Sequence, residues 1–502
     1  MRLFEPSETT SVTQRRSTML IAGIDSSTQM CKVTVRDAAT GNRVREGKAS
    51  HPSGTIVHPG RWWQALLTAV ERAGGLEDVQ AIAVSGQQHT PVFLDEDGEV
   101  VCDSPLWNDT GSHGQMVSLN EELGRDTWIR RTGLPLTLSD TVVKLRWLRD
   151  TDPAAAERTA AVAIVPDWLT WRLLGYGSRH GGLDALVTDR SDAAATAYWS
   201  PETGEYCMDL VEHAFGKTVT LPKILGPLDR AGVTGGGIPG IPAGIVVGAG
   251  SGDNGAAALA LDVSAGDTVL SLGTSGVVYT QSETPIHDYA GYVCNYADAT
   301  GKFQPLVATL NAGRNFELGA ALLGCSFDEL SDLALSAPAG ANGLTLLPYF
   351  EGERTPDLPH ARASLHQASL TNFNRPNFAR AIIEGTLASQ VEMLEALERC
   401  GIVTERVVLI GGAAQSEAVQ HILTQMVDVP VVVPDPEEYV AKGAAMQALA
   451  ALQGAFPVWS TNGDELAPLR TETQISQQHD AAKVAMGYFE KTAARSSQPA
   501  VQ

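Results

Sequence analysis

Two short hairpin patterns, one at the start of the chain and one just past its middle, restrict this sequence more than any other feature. From Met19 to Ile24 the chain is apolar, Asp25-Ser-Ser-Thr-Gln29 is small and polar, and Lys32-Val-Thr-Val-Arg36 alternates. That pattern predicts two antiparallel strands joined by a turn of hydroxylated residues. It returns as Thr268-Val-Leu-Ser-Leu272, the turn Gly273-Thr-Ser-Gly276, and Val277-Val-Tyr-Thr280. One device opening each half of a long chain predicts a duplicated α/β domain. With 502 residues the chain is also too long for one compact core, so two domains of ordinary size are expected.

Helical periodicity fills the spaces between the strands. Residues 376–400 carry it clearly, with Phe378, Ile382, Leu387, Val391, Leu394 and Leu397 recurring near helical spacing. From Gly232 to Gly255 the sequence is loop-rich and then turns alanine-rich, which puts a domain boundary near Asp262. The expected organisation is a disordered leader over 1–18, one domain over 19–261, a second over 262–455, and a polar tail over 456–502 holding a loosely attached helix.

The chemistry sits in the turns. In the first, exposed N–H and O–H groups around Thr28 and Lys32 could contact a phosphate, and Asp25 could hold a metal directly or through water. An ordinary hairpin with an Asx turn would read the same way in isolation. The second turn, at Gly273 and Thr274, is equally weak alone; two phosphate-gripping hairpins facing one another are a much stronger signal. A third element, the strand Val407-Val-Leu-Ile410 followed by Gly411-Gly412-Ala-Ala-Gln-Ser416, leads into a helix with Ser416 as N-cap. Its glycines would let a ligand lie against bare backbone, although a tight strand-to-helix turn needs them too.

The central stretch Ile245-Val-Val-Gly248-Ala-Gly250-Ser-Gly252-Asp253-Asn254-Gly255 spells a dinucleotide-binding glycine pattern. That fingerprint needs an acidic residue at the end of the next strand, and here the next strand, Val269 to Leu272, ends in Gly273. Asp253 offers something else: a carboxylate at a helix start, framed by glycines, able to accept the proton of a hydroxyl nucleophile or simply to cap the helix. No phosphate loop of the GxxxxGK[ST] type occurs.

Composition narrows the function classes. The net charge of −22 repels phosphate backbones and anionic lipid, so neither nucleic acid nor a membrane surface is expected as partner. The six cysteines are widely spaced with no CxxC pair, which argues against a zinc site and for a reducing cytoplasm. Pairing of two copies into a homodimer is compatible with the sequence.

Together, and in this order, the segments resemble the FGGY carbohydrate kinases from about Met19 to Ala451. Gly86-Gln-Gln88-His89, Leu106-Trp-Asn-Asp109, Ser191-Asp-Ala-Ala-Ala-Thr196, Ser271-Leu-Gly-Thr-Ser-Gly276 and Tyr349-Phe-Glu-Gly-Glu353-Arg-Thr-Pro356 are similar to segments of members that act on the ketose D-xylulose. The resemblance implies an α/β fold of two ribonuclease-H-like domains, of the actin/hexokinase ATPase type, with a catalytic cleft between them. It implies a sugar-binding first domain, a nucleotide-binding second domain, and ATP and Mg²⁺ as co-substrate and cofactor. Asp253 is then the general base, Asp25 acts through the metal, and Gln88, His89, Asp253 and Asn254 bind the ketose. Thr28, Lys32, Gly273, Thr274, Gly412 and Ser416 line the nucleotide path. The sequence departs from the family at Gln88, where members often carry methionine. Alternatives of the same chemistry are kinases for ribulose, glycerol or erythritol; of other classes, a nicotinamide-dependent dehydrogenase using Gly250–Gly255 or a silent sugar sensor.

Overall fold

The computed structural model describes residues 19–177, 181–469 and 472–488; the leader expected over 1–18 lies outside the described residues. Two seven-stranded sheets dominate it. The first contains β1 (Leu20–Ser26), β2 (Met30–Asp37), β3 (Arg43–Ser50), β4 (Val79–Gly86), β5 (Arg230–Val233), β6 (Val246–Gly248) and the two-residue β7 (Ser251–Gly252). Their order is β5-β6-β4-β1-β2-β3, with β7 also on β4. β1 pairs antiparallel with β2 and parallel with β4. Every residue of β1 is buried, as expected for a strand covered on both faces.

The second sheet contains β8 (Asp267–Leu272), β9 (Gly276–Thr280), β10 (Cys294–Ala297), β11 (Phe303–Thr309), β12 (Arg406–Ile410), β13 (Val431–Pro434) and β14 (Gly463–Leu466). Its order is β10-β11-β9-β8-β12-β13-β14. The hairpin strand β8 again pairs antiparallel with its partner β9 and parallel with a later strand, β12. An antiparallel three-strand meander extended by two parallel strands (β3-β2-β1-β4-β6 and β11-β9-β8-β12-β13) thus occurs twice, which is the duplication that the two hairpins announced.

Helices cover the sheets. α1 (Gly60–Arg72) packs Trp62, Leu66 and Val70 into the core of the first sheet. The short α2 (Arg190–Ala194) and α3 (Asp253–Ala260) flank its edge of chemistry. α4 (Arg375–Arg399) begins where the Asn374 side chain accepts the Asn377 N–H with Pro376 in the first turn, a strong start signal, and is buried along most of its length. α5 (Glu417–Met426) packs Val419, Ile422 and Leu423 into the same core.

What joins the halves is α6 (Tyr439–Gln453), which follows β13 but lies on β1, β4 and α3. Its alanines and glycine allow unusually close approach: a Cβ on Gly23 would come 1.8 Å from Ala441 O, and one on Gly443 would come 1.9 Å from Ala256 O. Ion pairs add to this junction, Arg36 to Glu437 at 3.1 Å and both Lys32 and Lys48 to Glu438 at 2.7 Å.

The polar stretch after Trp459 is more than a loosely attached tail. β14 closes the edge of the second sheet, and α7 (Thr473–Ala485) packs on α4 with Ile475 and Ala482 buried. The buried face mixes Ile475 and Ala482 with His479 and Lys483, a weak periodic signal, so only the packing reveals the attachment. Among the described residues no helix is long and apolar enough to cross a membrane.

Candidate active site

The C-terminal ends of the parallel strands of the first sheet bring three segments together. Ser26 of β1 lies opposite Gly86 of β4, and Gly252 of β7 lies opposite the same Gly86. Asp25, Gln87–His89 and Asp253 therefore leave the sheet side by side, at the position where open α/β sheets place their ligands. A Cβ on Gly252 would come 2.3 Å from Gln88 Cδ, so the Gln88 side chain lies where a larger residue would displace it.

Asp253 is the first residue of α3, with Gly252 as N-cap, and is half-buried. Its Oδ1 accepts the backbone N–H and the side-chain amide of Asn254 at 2.8 and 2.9 Å. Burial pushes its carboxyl up to about 6; the Asn254 N–H opposes the push and the Asp25 carboxylate adds to it. A carboxyl poised there is ionised at neutral pH yet still basic enough to take a proton.

Asp25 is buried at the end of β1, and Ser27 Oγ donates to its Oδ1. Burial raises its pKa against the Lys32 ammonium, whose Nζ lies 3.5 Å from Oδ2. Lys32 donates to Glu438 at 2.7 Å. Burial disfavours the Lys32 charge, but Asp25 and Glu438 outweigh it and hold the pKa above the usual value. In the same turn the Trp107 indole N–H donates to Thr28 Oγ1 at 2.8 Å, leaving the Thr28 hydroxyl hydrogen free for an anionic acceptor.

His89 has a positive φ of 68° and gives its Nδ1 hydrogen to Ala195 O at 2.7 Å, with Asp140 Oδ1 3.4 Å away. Its Nε2 is then an acceptor in the neutral ring. Tyr296 of β10 meets the His89 ring edge-on at 6.1 Å, so the second sheet supplies a wall of this pocket. From β11, Gln304 donates to Asn254 O at 3.2 Å. Gln88 is buried, and its amide nitrogen donates to Ser191 O at 2.8 Å. That bond anchors the loop through one of the two amide hydrogens of Gln88.

On the other side, Ser271 of β8 lies opposite Ile410 of β12, so the Gly273-Thr274 and Gly411-Gly412 turns emerge together. Gly313 N donates to Gly273 O at 2.8 Å and ties a third segment to them. Thr274 and Gly412 are exposed, as a ligand surface requires. Ser416 occupies the N-cap position of α5, but its side chain makes no capping bond, so its hydroxyl is not consumed by the helix as the sequence suggested. The residues behind these turns escaped sequence reasoning. Glu353 accepts Leu310 N and Asn311 Nδ2 at 2.6 and 2.9 Å, and Gln390 donates to Asn311 O at 3.2 Å. The Glu353-Arg-Thr-Pro segment had stood out in the sequence, but only as a likeness.

A second cluster stands behind the first turn set. Asp167, Asp189 and Asp192 are buried, and both Asp192 oxygens lack a hydrogen-bond partner. Burial raises all three, Asp167 to about 8 and Asp192 well above the usual range, with Asp189 adding to the push on Asp192. Their unfolded values lie near 4, so the stability they favour is complete below about pH 4 and is lost as pH rises toward the folded values. Asp192→Asn is therefore expected to raise Tm, and to raise it more at pH 8 than at pH 5. Melting curves at the two pH values check this; a Tm gain that is no larger at pH 8 would count against it.

The profile of the N-terminal domain of the FGGY family of carbohydrate kinases matches residues 20–260, and that of its C-terminal domain matches residues 268–452. The chain belongs to the FGGY family of carbohydrate kinases. It is 37% identical over 444 residues to a xylulose kinase of Streptomyces coelicolor, covering 87% of this chain and 88% of the relative. A xylulose kinase of Streptomyces rubiginosus is equally similar, 37% identical over 447 residues, 87% of this chain and 89% of that one. Among solved structures, xylulose kinase from Bifidobacterium adolescentis superposes with a TM-score of 0.86 at 39% identity, covering 93% of this chain and 99% of the other. A glycerol kinase of Plasmodium falciparum with ADP superposes at 0.83 with 18% identity, over 94% of this chain and 98% of that one. The FGGY fold by itself therefore does not select the sugar. The two-domain α/β architecture of this FGGY chain is the actin/hexokinase-type arrangement that the resemblance implied.

Proposed function

We propose that the chain transfers the γ-phosphoryl group of ATP to a hydroxyl of D-xylulose, giving D-xylulose 5-phosphate and ADP. The observation that carries this reading is the position of Asp253: a half-buried, basic carboxylate at the edge of one sheet, beside Asn254 and His89, which Gln304 and Tyr296 of the other sheet contact. The extended likeness to xylulose kinases supports the choice of sugar.

In the transfer, the sugar oxygen attacks the γ-phosphorus in line with the departing ADP oxygen. Asp253 Oδ2, the carboxylate oxygen not held by Asn254, takes the hydroxyl proton as the O–P bond forms. His89, its Nδ1 held by Ala195 O, turns Nε2 to a second sugar hydroxyl and, with Asn254, sets its orientation. Thr28, Thr274 and the backbone at Gly273 and Gly412 donate to phosphate oxygens, and Ser416 can do so with its unengaged hydroxyl. Lys32 supplies positive charge beside Asp25. Asp25 is the residue that would hold Mg²⁺, which neutralises charge on the transferring phosphoryl group when bound. Among the described residues no three His, Cys, Asp or Glu form a metal cage, and a Mg²⁺ carried by nucleotide phosphates needs only one or two carboxylates. Closure of the two domains on the sugar would keep water from the γ-phosphate.

ADP release across a panel of ketoses and polyols tests the proposal. D-xylulose is expected to lead ribulose and glycerol by at least about tenfold in kcat/KM, because a pocket of hydrogen-bonding groups penalises a missing or misplaced hydroxyl. A wild type that prefers glycerol or ribulose would replace the sugar and keep the kinase. Calorimetric binding of NAD without any ATP signal would overturn the kinase reading.

A further inference from the structure

Three groups of the sugar side hang on one short stretch that the phosphoryl-transfer chemistry does not itself use. Asp189 caps α2: its Oδ1 accepts Ser191 N at 2.6 Å, Ser191 Oγ at 2.5 Å and Asp192 N at 3.2 Å. Because the Ser191 hydroxyl hydrogen goes to Asp189, its oxygen lone pairs point elsewhere. One of them accepts the buried Gly252 N–H at 2.9 Å. The carbonyl of the same serine holds Gln88 at 2.8 Å, and Ala195 O, just past the end of α2, holds His89 at 2.7 Å. Ser191 also lies against the first turn of α3, where a Cβ on Gly255 would come 3.4 Å from its Oγ.

We infer that Ser191 is a positioning residue for the base: its hydroxyl, oriented by Asp189, holds the Gly252 N–H and so sets the direction in which Asp253 leaves the first sheet. The inference rests on Asp253 being the base. Gly252 ends β7 and immediately precedes Asp253, and it is buried. Without Ser191 Oγ that donor has no acceptor, and the turn must shift to find one. A small shift suffices, since a carboxylate displaced by a fraction of an ångström no longer meets the proton it must take. Gln88 and His89 bind backbone carbonyls on the same stretch, so a change of the Ser191 side chain leaves both of those bonds in place.

Steady-state kinetics of Ser191→Ala and Ser191→Thr, each made in the wild type and in Asp253→Asn, test the inference. Ser191→Ala is expected to lower kcat by about tenfold or more while moving the sugar KM by less than about threefold. Ser191→Thr keeps the hydroxyl and is expected to recover most of kcat. In Asp253→Asn, Ser191→Ala should cost nothing further, because a residue that acts through the base has nothing left to position. An equal loss in both backgrounds, a raised KM with unchanged kcat, or no recovery with threonine would each overturn the inference while leaving the base in place. Should Ser191→Ala fail to fold, Ser191→Cys, with a weak sulfur acceptor of similar shape, reads the same kcat-to-KM split. Near-normal turnover by Asp253→Asn alone would instead remove the base reading underneath.

Discussion

Asp253→Asn is expected to yield a folded kinase that still binds sugar and nucleotide but turns over about 10²–10⁴-fold more slowly, the usual value of a positioned base. Folding should survive because the substitution removes a charge that burial already disfavours. The Asn254 N–H that now bonds Oδ1 can bond the amide oxygen instead. The pH profile sharpens the test. With the carboxyl at about 6, the wild-type rate should fall on the acid side through that value, as protonation removes the acceptor. Asp253→Asn should lose that acid limb along with most of its rate. Turnover near the wild-type level, or an unchanged acid limb, would take Asp253 out of the mechanism.

Asp25→Asn should produce the second large loss, roughly 10²-fold in kcat/KM for Mg-ATP, by weakening the electrostatic grip on the phosphates. Sugar binding, measured by calorimetry without nucleotide, should be nearly unchanged because Gln88, His89 and Asn254 are held from other segments. The fold should tolerate the change, since burial also disfavours the Asp25 charge and Lys32 keeps Glu438 as partner. One consequence separates this from a general defect. Asp25 helps to raise Asp253, so Asp25→Asn should move the acid limb of the residual activity to lower pH. A rise of the sugar KM with normal use of Mg-ATP would show that Asp25 serves the sugar rather than the nucleotide.

Local pattern carried a large part of this protein. Strand alternation and small-residue turns located β1–β2 and β8–β9, and helical spacing located α4, because these signals depend only on neighbours a few residues apart. Asp25 and Asp253 were legible for the same reason: each ends or begins an element, in a setting of small residues that leaves a carboxylate accessible. The duplication was legible too, since it repeats a local pattern.

What only the tertiary structure decided are the pairings between distant segments. Lys32 meets Glu438 across 406 residues, Gly252 meets Ser191 across 61, and Asn311 meets Glu353 across 42. No periodicity encodes such a pair, because it depends on the register of two strands and the crossing of two helices at once. The same holds for Gln88, whose amide meets Ser191 O across 103 residues. It holds also for α7, whose buried face mixes Ile475 and Ala482 with His479 and Lys483. The amino-acid sequence by itself determined the repeated hairpins, the glycine frames and the two carboxylates they present. Packing of α6 across the first sheet, and side chains reaching between remote loops, decided how those carboxylates are aimed, charged and held, since burial and direction are properties of the assembled fold.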